Sequence, residues 1–179
     1  MAKINIENVV ASATISDKFD LSEMIKKLSG SKYNPNRFPG LVLHIKEPKT
    51  AALVFSSGKI VCTGAKSVQK VDKAVENICD KIKKAGFKVI KPKITVQNIV
   101  ASADLNKELN LDAVAIGLGL DRIEYEPEQF PGLVYRSENP KAVILLFGSG
   151  KLVCTGAKKP EDISRAIDNL SEELTSLGV

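Results

Sequence analysis

The ten residues from Ser57 to Lys66 read SGKIVCTGAK, and those from Ser149 to Lys158 read SGKLVCTGAK. The copying extends well beyond them. At the same spacing, RFPGLV (Arg37 to Val42) meets QFPGLV (Gln129 to Val134), Tyr33-Asn34-Pro35 meets Tyr125-Glu126-Pro127, Pro48-Lys49 meets Pro140-Lys141, and Phe55 meets Phe147. Upstream, INIENVVASA (Ile4 to Ala13) meets ITVQNIVASA (Ile94 to Ala103) at a spacing two residues shorter. The second copy therefore carries two extra residues, between Thr14 and Tyr33 in first-copy terms. Solenoid repeats have periods of about 20–50 residues, so a period this long marks a duplicated half. Residues 1–92 form the first copy and 93–179 the second. Any fold must contain the same unit twice.

Each copy predicts the same order of elements. An apolar strand comes first, Ile4 to Ala13 or Ile94 to Ala103, then a short helix near Leu21 to Leu28 or Leu111 to Leu118. Three further runs follow in each copy: Leu41 to Lys46, Ala51 to Phe55 and Lys59 to Thr63, then Leu133 to Ser137, Ala142 to Phe147 and Lys151 to Thr155. Connections of a few turn residues make antiparallel meanders, because parallel strands need long crossovers. A long helix closes each copy. Val68, Val71, Val75, Ile78, Ile82 and Ala85 recur at helical spacing, as do Ile163, Ile167, Leu170, Leu174 and Leu177, with Gly86 and Gly178 at the ends. The class is α+β: an antiparallel sheet of about ten strands with four helices.

The strands carry a second message. A sheet covered by helices on one side should alternate apolar and polar residues. Ala142 to Phe147 and Ala51 to Phe55 are instead apolar on both faces. If Ile60 and Cys62 face the helices, Lys59, Val61 and Thr63 face away, and Lys151, Val153 and Thr155 do so in the second copy. Leu53 and Phe55, Leu145 and Phe147, Asn8, Val10 and Ser12, and Asn98, Val100 and Ser102 join this second face. Two arrangements satisfy the pattern. The copies bury these faces against each other as a sandwich, or the faces form a binding surface. Lone Asn and Thr residues in the middle and a Lys/Arg rim suit a ligand with apolar walls, weak acceptors on its floor and charged edges. The DNA minor groove is such a ligand.

Charge separates the copies. Residues 1–92 hold 17 Lys and Arg against 8 Asp and Glu, giving +9, while residues 93–179 hold 9 against 13, giving −4. Either the two ends meet different partners, or the charges have drifted on solvated faces. Cys62, Cys79 and Cys154 cannot all pair internally and read as buried thiols of a reducing compartment. No CxxC or Cys/His cluster suggests a metal. Met1-Ala2-Lys3-Ile4-Asn5 has no apolar leader pattern, and the run Ala142 to Phe147 is far short of a membrane span.

The doubled FPGLV, PK and SGK.VCTGAK pattern, with VVASA or IVASA opening each half, resembles the TATA-box-binding protein family over essentially the whole chain. FPG in both loops and the lack of a long N-terminal extension resemble its archaeal branch. The resemblance implies a saddle with pseudo-twofold symmetry, its four helices on the convex face. It implies a general transcription initiation factor that binds the minor groove of A·T-rich TATA-box promoter DNA. Known for this family, and carried over with the resemblance, is kinking by apolar wedges. By motif the intercalating residues are Phe38, Phe55, Phe130 and Phe147. The groove contacts are Asn8, Asn98, Thr63, Thr155, Val10, Val100, Val61, Val153, Leu53 and Leu145. Arg37, Lys49, Lys59, Ser57, Arg136, Lys141, Lys151 and Ser149 would meet phosphates. His44, the only His, stands where the second copy has Arg136, which leaves that first-half contact open. In the family the second loop before FPG docks transcription factor B, and Glu126, Glu128 and Gln129 match it. RNA polymerase joins the pre-initiation complex. The implied location is cytoplasmic and chromosome-associated in an archaeal cell, or nuclear in a eukaryotic one. No cofactor is implied.

Three other readings compete. An enzyme with phosphate loops would need Gly-Lys followed by Ser or Thr at a strand-to-helix turn, whereas Gly58-Lys59 and Gly150-Lys151 are followed by Ile60 and Leu152. An RNA or single-strand platform would carry stacking aromatics in its middle, where this chain has Asn, Val and Thr. A dimerisation module would use the apolar face for self-association without DNA.

Overall fold

The computed structural model describes residues 2–179. Their elements run β1 (Lys3–Thr14), α1 (Leu21–Lys27), β2 (Ser31–Lys32), β3 (Leu41–Ile45), β4 (Thr50–Val54), β5 (Lys59–Ala65) and α2 (Val68–Lys84). The same series follows as β6 (Thr95–Asp104), α3 (Leu111–Leu118), β7 (Ile123–Glu124), β8 (Leu133–Glu138), β9 (Lys141–Leu146), β10 (Lys151–Ala157) and α4 (Pro160–Ser176). The ten-stranded sheet has the order β2-β3-β4-β5-β1-β6-β10-β9-β8-β7. The duplicated α+β architecture with four helices is the one expected. The strands that no apolar run marked are β2 and β7, each two residues long and paired to the next strand.

The described residues form two compact units. One is Asn8–Gln97; the other joins the stretch up to Glu7 to Asn98–Val179. In the first, β3, β4 and β5 form a meander, and β5 returns antiparallel to β1. Leu41, Leu43, Ala52, Val54, Ile60 and Cys62 point to one face and are buried. Val71, Ala74, Val75, Ile78, Cys79 and Ile82 of α2 are buried against them, with α2 packing on β5 and β3. In the second unit α4 packs on β10 and β9 through Ile163, Ala166, Ile167, Leu170 and Leu174.

Local chemistry sets the helix ends. Asp20 and Asn110 cap α1 and α3 by accepting from the second and third backbone N–H groups, and Ser67 caps α2. Pro160, Glu161 and Asp162 open α4 without a side-chain cap. Both long helices stop in the same way. Gly86 N–H donates to Lys83 O and Phe87 N–H to Ile82 O, while Gly178 donates to Thr175 O and Val179 to Leu174 O. This is the Schellman arrangement, with glycine at positive φ. Leu177, expected on the buried stripe of α4, falls after the last helical turn and is 41% exposed, lying over Gly117.

One cluster has no counterpart in the first copy. Arg122 donates two hydrogen bonds to the Glu173 carboxylate, at 3.1 and 2.8 Å, and the Tyr135 hydroxyl donates a third at 2.9 Å. These bonds, Arg122's first, hold the Glu173 carboxyl below the usual carboxylate range. Burial, with the bond to Glu173, pushes the Tyr135 phenol up to about 12. The first-copy positions are Gly30, Leu43 and Lys81. A carboxylate depressed in the folded state adds stability that is complete above the ordinary carboxylate range and is lost as pH falls below it. Glu173→Gln is expected to flatten the drop in urea midpoint between pH 7 and pH 3. The change will be small, because the Arg122 and Glu173 side chains are 36% and 35% exposed.

Cys62, Cys79 and Cys154 are free and buried. Burial raises each thiol, Cys154 to about 11, so all three stay protonated and unreactive near neutral pH. No helix among the described residues is long and apolar enough to cross a membrane.

Candidate nucleic-acid interface

Among the described residues, no helix covers the sheet face opposite the helices of each unit. Val10, Leu53, Val61, Val100, Leu145 and Val153 lie on it and are half-buried. Register ties them into rows: Val42 opposes Leu53, and Leu53 opposes Val61, while Val134 opposes Leu145, and Leu145 opposes Val153. Val42 and Val134 were missed in reading the sequence. Alternation with buried Leu41, Leu43, Leu133 and Tyr135 would have found them.

The four Phe residues form two pairs. Phe38 and Phe55 have ring centroids 5.9 Å apart at 62°, and Phe130 and Phe147 have centroids 5.9 Å apart at 66°. Both are edge-to-face contacts. Phe38 and Phe130 are 40% and 42% exposed, among the few large apolar side chains left open. The FPG motif explains the pairing. A Cβ on Gly40 would lie 2.6 Å from the Phe38 ring and 3.1 Å from Phe55; on Gly132, 2.7 Å from Phe130 and 3.0 Å from Phe147. Only glycine leaves both rings their place. The partner Phe is set by the SGK hairpin. Phe55 N–H donates to Lys59 O and Gly58 N–H to Phe55 O, and Phe147, Lys151 and Gly150 repeat this in the second copy. SGK is thus a β-turn whose glycine N–H is already bonded, not an open phosphate loop.

One amide–hydroxyl pair per unit links the opening strand to the last strand of the meander, β1 to β5 and β6 to β10. Asn8 Nδ2 donates to Thr63 Oγ1 at 3.1 Å, and Asn98 Nδ2 to Thr155 Oγ1 at 3.1 Å. The expected charged rim is exposed: Arg37, Lys49, Lys59, Arg136, Lys141 and Lys151, with Ser57 and Ser149. Arg136 is already engaged, its Nη2 lying 3.3 Å from Glu124 Oε1. That pair is solvent-exposed and weak, so an anion can displace it. His44 and Arg136 occupy matching register positions, opposite Ala51 and Val143. Glu126, Glu128 and Gln129 are exposed on the loop before Phe130, and Glu126 O accepts from the Gln129 and Phe130 N–H groups. Among the described residues no group of His, Cys, Asp and Glu is arranged to hold a metal ion.

Comparison with known proteins agrees with this geometry. The family described as Transcription factor TFIID (or TATA-binding protein, TBP) matches residues 3–85 and again 93–177. The TATA-box-binding protein of Archaeoglobus fulgidus is 59% identical over 178 residues, covering 99% of this chain and 97% of that protein. TATA-box-binding protein E of Halobacterium salinarum is 56% identical over 177 residues, covering 98% and 95%. The solved structure of Methanococcus jannaschii TBP superimposes with a TM-score of 0.88 at 48% identity, covering 97% of this chain and 99% of that one.

Proposed function

The chain belongs to the TATA-box-binding protein family, and on that premise we propose that it is a general transcription initiation factor binding the minor groove of A·T-rich promoter DNA. The observation that carries the proposal is the repeated composition of the face opposite the helices: a Phe pair with one ring exposed and one half-buried, an apolar floor, one Asn–Thr pair and a basic rim in each copy. In this reading Phe38, Phe55, Phe130 and Phe147 wedge between base steps, and the valines and leucines pack on sugars and base edges. The lysines and arginines meet phosphates.

The magnitudes are compatible. Bending a short site costs of order 1–6 kcal/mol by smooth elastic estimates, and unstacking adds about a few kcal/mol per step. Burying a Phe contributes roughly 1.5–3 kcal/mol, so four of them with the apolar floor offset much of that cost. Because flexible TA steps kink most easily and the minor groove mainly separates A·T from G·C, sites rich in A·T with TA steps are favoured. At fixed salt, a TA-containing duplex is expected to bind more tightly than a G·C duplex of equal length. Equal affinities would overturn the reading. An RNA or single strand that competes as well as the duplex would favour the stacking-platform alternative. Self-association through the apolar face should be lost when duplex is added.

Transcription factor B is the proposed protein partner, held at Glu126, Glu128 and Gln129 by a basic surface, and RNA polymerase is recruited in turn. A partner bound to one copy only also gives a doubled scaffold a direction on DNA. Glu126→Lys with Glu128→Lys is expected to weaken the ternary complex by roughly tenfold or more, since close charge pairs across interfaces couple by about 1.5 kcal/mol upward. DNA binding alone should be unchanged. Electrophoretic mobility assays with and without the factor separate the two, and an unaltered ternary complex removes this assignment.

A further inference from the structure

The Asn–Thr pairs have a third member that motif reading passed over. Gly64 N–H donates to Asn8 Oδ1 at 2.7 Å, and Gly156 N–H donates to Asn98 Oδ1 at 2.7 Å. These backbone groups are free to do so because the ladder is broken there. Val9 opposes Ala65 and Ala11 opposes Cys62, so β5 takes three steps where β1 takes two. Ile99 opposite Ala157 and Ala101 opposite Cys154 repeat the bulge in β10. The glycines hold φ of +101° and +95°, which side-chain-bearing residues rarely adopt.

The bulge fixes which end of each amide faces the ligand. A backbone N–H only donates, so the atom 2.7 Å from it must be the amide oxygen. The NH2 group is left to donate one hydrogen to threonine and the other to whatever covers the face. Turning the amide over would set two donors against each other at that distance and forfeit the bond. Acceptors on the minor-groove floor, adenine N3 and thymine O2, suit a fixed donor, and the guanine amino group opposes it. An amide free to turn would offer its oxygen to that amino group.

We propose that Gly64 and Gly156 are positioning residues for base preference, pinning Asn8 and Asn98 as donors that cannot invert to accept guanine. The inference rests on the DNA-binding reading above. Its first test needs no DNA. In the uniformly labelled free protein, scalar coupling across the hydrogen bond is expected between the amide nitrogens of Gly64 and Gly156 and the side-chain carbonyl carbons of Asn8 and Asn98. The second compares an A·T-rich duplex with the same duplex carrying one central G·C pair. Gly64→Ala with Gly156→Ala should reduce the affinity ratio at least about fivefold, in line with the discrimination that one good base contact supplies. Asn8→Asp with Asn98→Asp, which keeps the oxygen and loses the donor, should reduce it as well and avoids positive-φ strain. Absent couplings with the A·T preference intact would overturn this inference alone, as would an undiminished ratio in both variants. Couplings present without any A·T preference in the unaltered chain would overturn the DNA reading itself.

Discussion

Phe130→Ala combined with Phe147→Ala is expected to weaken binding to a TA-containing A·T-rich duplex by about a hundredfold to ten-thousandfold, since each ring buries roughly 1.5–3 kcal/mol of apolar surface. The lower end of that range is favoured by the structure. The two rings already touch at 5.9 Å and Phe147 is half-buried, so only part of their surface is newly removed from water. Fold stability should fall less than for a fully buried Phe pair, because Phe130 is 42% exposed and Phe147 only half-buried in the free protein. Fluorescence anisotropy at fixed salt measures the first effect and thermal melting the second. Salt must be held constant, because phosphate contacts make affinity fall steeply with ionic strength. Binding that stays weak, salt-sensitive and indifferent to the substitution would mean that the basic half merely attracts phosphate, and the wedge assignment would fall.

The largest stability effect is expected from Gly150→Ala or its counterpart Gly58→Ala. A Cβ at Gly58 would lie 1.8 Å from Ser16 O, and at Gly150 2.1 Å from Lys107 O. Both glycines also hold φ near +85°. The segment after each opening strand wraps this turn, with Ile15 N–H on Gly58 O and Leu105 N–H on Gly150 O. Backbone must move to admit the methyl group, breaking those bonds. The positive φ alone costs roughly 1–2 kcal/mol, and the collision should raise the total to about 3 kcal/mol or more. Gly86→Ala is the control, with φ of +96° and nothing within 4 Å. Urea denaturation of the two variants separates strain from collision. Equal losses would refute the steric account.

The hydrophobic pattern carried most of the fold. Runs such as Ala142 to Phe147 are long, and their neighbours are joined by short turns, so the meanders and the helix-facing positions could be read directly. Strands β2 and β7 could not, since two residues paired to a neighbour leave no periodic trace. The rings of the candidate site were visible because aromatics are scarce in this chain, at 5%. The space that Gly40 and Gly132 leave for those rings was not visible, nor was the bond from Gly64 to Asn8. Both depend on backbone geometry that a spacing rule does not encode. The Arg122–Tyr135–Glu173 cluster escaped for a related reason. Its members are distant in sequence, and the first copy, carrying Gly30, Leu43 and Lys81, offers no echo of it.

The ring pairs seated over Gly40 and Gly132 bear on the entropy of association. A lone exposed Phe samples several rotamers, and immobilising a side chain at an interface costs about 0.5–1.5 kcal/mol. Here each ring is confined by its partner before any ligand arrives, and the missing Cβ makes that confinement possible. Part of the ordering cost is therefore met when the chain folds. The two FPG glycines thereby link the folding of each half to how tightly it can later hold a distorted duplex.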